Sequence, residues 1–124
     1  SLDHELTIAG GEALRAAGEI PLVEGTLMIG LPEWADMIDE GVVERFAEAE
    51  IVPEGYVAPT HAAVEVAIQA LERSRAESAP LAETLGRGPF ETMIGPVSFD
   101  GKGDLNRNPF ILLRFDGERF LPVE

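Results

Sequence analysis

Few side chains in this sequence could do covalent chemistry. Cysteine is absent, the two histidines stand far apart at positions 4 and 61, and no serine is framed by glycines. Only acid–acid chemistry remains, and with 23 acidic residues against 9 basic ones any chosen carboxylate pair is arbitrary. The chain therefore reads as a binding or interaction protein, not an enzyme, and no cofactor is implied. The best-placed carboxylate is Glu12, directly after Gly10-Gly11. A double glycine at the C-terminal end of a β-prone run permits positive φ or close backbone approach, and open α/β sheets place their ligand crevices there. Gly11 and Glu12 are accordingly the candidate ligand-binding residues. An acid in a first helical turn is also an ordinary partner for the helix dipole. The dinucleotide fingerprint G-x-G-x-x-G does not occur.

Two further sets of polar residues read as structural. Asp104, Asn106 and Asn108 have the spacing of a calcium loop, but Pro109 replaces the required glycine and Phe115 the bidentate Glu. His61 reads as a structural or solvent-facing imidazole, and Trp34 as cover for a core edge.

The elements that must position these residues alternate between helical and strand periods. Residues 5–9 predict a strand stopped by Gly10-Gly11, followed by a short helix over 12–17. Residues 23–31 predict a second strand, buried on both faces from Leu27 to Ile29. Asp39 is placed to N-cap an amphipathic helix reaching Ala49. The organising element is a helix over 56–75, with Pro59 in its first turn. Val57, Val64, Ile68 and Leu71 form its predicted packed face, widened by Ala63, Ala67 and Ala70, and Glu65, Gln69, Glu72 and Arg73 a narrow solvated stripe. Residues 79–85 add a short helix ended by Gly86, and 90–94 a strand. Asp116-Gly117 between two apolar runs predicts a C-terminal hairpin. The expected architecture is one α/β domain over residues 1–124. It has a three-layer-like arrangement in which the long central helix packs on a small mixed sheet containing both Leu27–Ile29 and Phe90–Ile94.

A net charge of −14 repels phosphate backbones and anionic lipid, so no nucleic-acid or membrane-surface partner is expected. At 45% hydrophobic residues the chain is not wholly disordered. No apolar run approaches a membrane span, and the first residues show neither the basic head nor the apolar core of an export signal.

Four stretches carry a family resemblance: Ile8 to Glu12, Val23 to Leu27, Tyr56 to Glu72, and Ile94 to Asp100 with Lys102-Gly103-Asp104. In this order they resemble the C-terminal part of type I periplasmic binding proteins, the leucine/isoleucine/valine-binding proteins of ABC transporters. The resemblance implies a partial two-lobed α/β fold, periplasmic or extracellular location, an amino-acid ligand in the full-length parent and an ABC permease as partner. It carries over one binding residue, the acid of the glycine turn that holds the ligand's ammonium, here Glu12. The positions that hold the ligand's carboxylate belong to the family's N-terminal segment and have no counterpart in this chain. The alternative reading is a truncated structural module that buries unmatched apolar surface by homodimerising and binds nothing.

Overall fold

The computed structural model describes residues 7–16, 21–53 and 55–123. In chain order the elements are β1 (Ala9–Gly11), a 3₁₀ turn (Glu12–Arg15), β2 (Leu27–Gly30), a second 3₁₀ turn (Trp34–Asp36), α1 (Glu40–Glu48), α2 (Val57–Glu77), α3 (Leu81–Leu85), β3 (Phe90–Thr92), β4 (Gly95–Val97), β5 (Ile111–Phe115) and β6 (Phe120–Pro122). The mixed α/β class, the long central helix, the mixed sheet and the C-terminal hairpin match the architecture expected. Two compact units are formed, Ser1–Pro32 with Pro109–Glu124, and Glu33–Asn108.

The first unit is a four-stranded sheet of order β1-β2-β5-β6. β1 runs parallel to β2, and β2, β5 and β6 are successively antiparallel. Strand alternation puts Met28 and Leu113 on one face, where with Phe120 they make a buried core packed by Leu14, Leu22, Ile111 and Phe115. On the other face Ile29 lies directly opposite Leu112, and both are exposed, as is Leu121. The β5–β6 hairpin turns at Gly117 (φ +102°), with Asp116 Oδ1 accepting from the Glu118 and Arg119 amides, each at 2.9 Å.

The double glycine is not a turn. Gly10 and Gly11 lie in β1, in register with Met28 and Ile29, and Gly11 is extended (φ −96°, ψ −173°). Gly10 serves close packing instead, since a Cβ there would stand 2.8 Å from Leu14 Cδ1. The predicted strand start at Glu5 and helix end at Ala17 lie outside the described residues.

The second unit is built around α2, and of its predicted packed face only Ala70 is buried. Its buried residues are Ala58, Ala62, Val66 and Ala70, whereas Val64, Ile68 and Leu71 are 54%, 53% and 44% exposed. The helix is thus buried along one stripe and not around most of its circumference. Val66 and Ala70 pack on the fully buried Phe90 of β3, with Leu85, Val97 and Phe99 around them. Glu65, Gln69 and Arg73, flanking this stripe, bind the strand segment, while Glu72 is exposed as expected. Glu91 faces Pro96 across the β3–β4 hairpin at a non-hydrogen-bonded pair, so its peptide groups point away from β4. They meet the Gln69 amide, with Gln69 Nε2 donating to Glu91 O at 2.7 Å and Glu91 N donating to Oε1 at 3.2 Å. Glu65 accepts from the Met93 amide at 2.8 Å, and Arg73 donates to Pro89 O at 3.1 Å while lying 4.6 Å over the Phe90 ring. Small alanines let the helix backbone approach the strand closely enough for these side chains to reach it.

β2 and β3 belong to different sheets, so the single sheet expected to contain both is corrected to a four-stranded sheet and a two-stranded hairpin. β3 also ends at Thr92, because Met93 and Ile94 form the turn into β4. Asp39 caps α1 as predicted, accepting from Gly41 N at 2.9 Å.

Candidate functional site

Glu12 opens the 3₁₀ turn that leaves the end of β1. Its carboxylate reaches across to the residue following β2. Oε2 accepts from the Leu31 amide at 2.8 Å, and Oε1 accepts from Arg15 Nε at 2.6 Å. Arg15 Nη2 in turn donates to the Leu31 carbonyl. Glu12, Arg15 and the Leu31 backbone therefore form a closed ring in which both polar groups of one residue are held by an ion pair. The pair is partly shielded, with side-chain exposures of 21% for Arg15 and 22% for Glu12. A carboxylate in such a place binds a cation more strongly than one on an open surface.

Gly30 makes room for this ring. A Cβ at position 30 would run into the Glu12 carboxylate and come within 3.1 Å of Met28 Cε. Gly11, the other candidate binding residue, is exposed, with nothing within 4 Å of the place a Cβ would take. It pairs with Ile29 in β1, which stands at the end of the sheet order. Gly11 and Glu12 are thus adjacent on the chain, and what surrounds Glu12 is Arg15, Gly30 and Leu31. Arg15 lies three residues after Glu12, the spacing of helical ion pairs, so it was legible in the sequence. Gly30 and Leu31 were not, because their role depends on β1 and β2 being neighbours.

The remaining candidates take structural places. His61 Nδ1 lies 3.5 Å from Glu65 Oε2, and its ring meets the Phe46 ring edge-on at 5.8 Å. Trp34 is 5% exposed, and its Nε1 has no hydrogen-bond acceptor among the described residues. In the acidic loop, Asp100 Oδ1 accepts from the Lys102 and Asp104 amides at 2.8 and 3.0 Å, and Lys102 Nζ lies 2.7 Å from Asp104 Oδ2. These contacts close the loop on itself. No cluster of three or more metal-ligating side chains occurs among the described residues.

No protein-family model matches the chain. Among curated proteins it is similar to the Leu/Ile/Val-binding protein homolog 2 of Brucella abortus (strain 2308), 31% identical over 111 residues, covering 87% of this chain and 29% of that protein. It is likewise 30% identical over 112 residues to the Leu/Ile/Val-binding protein homolog 1 of Brucella suis biovar 1 (strain 1330), covering 88% and 30%. An amino acid binding protein of Pseudomonas aeruginosa is 30% identical over 107 residues, covering 85% and 29%. The chain spans about 30% of the length of these curated relatives.

Proposed function

We propose that this chain, a sequence relative of the Leu/Ile/Val-binding protein homologues, is part of a solute-binding protein for branched-chain or related amino acids, serving ABC-transporter import in the periplasm or outside the cell. Glu12 is the residue that meets the ligand's ammonium, and Gly11 lines the same strand end. The observation that carries this reading is the Glu12 carboxylate held at the end of β2, partly shielded and already engaged with one cation. The permease is the partner in import, and the groups for the ligand's carboxylate come from the remainder of a full-length parent.

The test is titration of the full-length parent with L-leucine, followed by calorimetry, beside its Glu12→Gln variant; the isolated chain, without the groups for the ligand's carboxylate, should show no measurable binding. The substitution keeps an acceptor for the Leu31 amide and removes the charge. It should weaken leucine binding by on the order of 2–4 kcal/mol, because the ligand's cation loses its partner. Equal response in both chains would make Glu12 a clamp on the 3₁₀ turn and nothing more.

A second reading is favoured by the exposed apolar rows Ile29, Leu112 and Leu121 in the first unit and Val64, Ile68 and Leu71 in the second. In this reading the isolated chain is a homodimer that covers such surface. Sedimentation at about 50 μM, above the Kd of an interface worth about 8 kcal/mol, distinguishes dimer from monomer.

A further inference from the structure

The ring at Leu31 contains a cation that the amino-acid reading does not use. We propose that Arg15 is the resident counter-cation of the ammonium subsite, neutralising Glu12 while the site is empty and yielding Oε1 to the ligand's ammonium when it fills. The inference rests on the reading of Glu12 as an ammonium-binding residue and adds a residue that sets its affinity.

The geometry separates the two carboxylate oxygens. Oε2 is held by the Leu31 amide at 2.8 Å and Oε1 by Arg15 Nε at 2.6 Å. Only the Oε1 partner belongs to a side chain, so only that bond is exchanged without disturbing the strand end. Arg15 has a second anchor, because its Nη2 donates to the Leu31 carbonyl. It can release Oε1 while staying attached to the site. A partly shielded carboxylate without a cation is unfavourable, and a resident guanidinium removes that cost in the empty state. Binding is then an exchange of the cation paired with Oε1, and the affinity is the difference between the two pairings. A compact ammonium and a planar guanidinium compete for one oxygen, but only the guanidinium also spans to the Leu31 carbonyl. Gly30 supports the exchange, since any side chain there would take the space the Glu12 carboxylate occupies.

The experiment is an L-leucine titration of the full-length parent, read at the Arg15 Nε–H and Leu31 N–H resonances. Leucine should shift the Arg15 Nε–H signal and leave the Leu31 amide bonded. 4-Methylpentanoate, which has the same side chain and carboxylate but no ammonium, should move neither. Arg15→Met removes the competitor and should tighten leucine binding about fivefold, the ratio corresponding to about 1 kcal/mol for a partly exposed pair. Arg15→Lys keeps a cation beside Glu12, guards against a folding defect in the Met variant, and should bind leucine no more tightly than the unaltered chain. The proposal is overturned if leucine moves neighbouring resonances but not Arg15 Nε–H, or if Arg15→Met weakens binding, which would make Arg15 a positioning residue for Glu12. Equal tightening in the Lys and Met variants also overturns it. Silence of every resonance in all chains overturns the amino-acid reading itself, and the exchange with it, and is recognised by the absence of any leucine-dependent change.

Discussion

At Leu31 and at Glu91, side chains rather than a neighbouring strand satisfy the backbone of an extended segment. At Leu31 in the first unit the carboxylate of Glu12 and the guanidinium of Arg15 hold the amide and the carbonyl. At Glu91 in the second unit the neutral amide of Gln69 holds both groups. A primary amide matches a peptide group in donor and acceptor, so Gln69 acts as one rung of a strand ladder and leaves no charge over. The Glu12–Arg15 pair does the same task with opposite charges. The device is therefore neutral in one unit and an ion pair in the other. The neutral case stands over a filled core of Phe90, Val66 and Ala70, and the charged case beside a glycine.

The comparison breaks first if the core beneath Gln69 is not what holds α2 to β3. Phe90→Ala should cost about 3–5 kcal/mol, because Phe90 is fully buried and its removal opens a cavity beneath Arg73. Urea denaturation measures it, and a loss below about 0.5 kcal/mol, the range of surface substitutions, would mean that the polar contacts carry the packing. Gln69→Leu should cost less, about 0.5–1.5 kcal/mol, because water takes over part of the two bonds at this exposed position. Hydrogen exchange at the Glu91 amide should accelerate with it, and unchanged protection would assign the Glu91 backbone another partner.

The smallest effect sharpens the contrast between a carboxylate on backbone amides in shelter and one in water. Bonds from the Arg119 and then the Glu118 amide hold the Asp116 carboxyl below its ordinary value of 3.8 at a fully exposed turn. A depressed folded-state pKa stabilises the fold above the ordinary value, and this is lost as pH falls through the lower folded value. The β5–β6 hairpin should therefore loosen only below about pH 4, visible as faster exchange at Glu118 and Arg119. Asp116→Asn should flatten that acid dependence, and equal acid sensitivity in both chains would place its source elsewhere.

Local chemistry made much of the fold legible. The Asp39 cap, Pro59 in the first turn of α2, and the Asp116-Gly117 hairpin are decided within a few residues, so the sequence suffices to read them. Glu12 and its pairing distance to Arg15 are equally local. Which face of α2 packs is different. Val64, Ile68 and Leu71 have the apolar period, yet Ala58, Ala62, Val66 and Ala70 are buried, because the short β3 strand needs a close helix backbone and polar side chains to meet its peptide groups. Only the partner decides that trade between apolar area and backbone satisfaction. Gly10-Gly11 likewise reads as a turn until β2 lies alongside and makes it a strand. The sequence by itself determined the long helix, the Asp39 cap, the C-terminal hairpin and the carboxylate at the strand end. Tertiary structure alone decided what each face meets and that Leu31 and Gly30 belong to the Glu12 site, since those depend on contacts between residues distant along the chain.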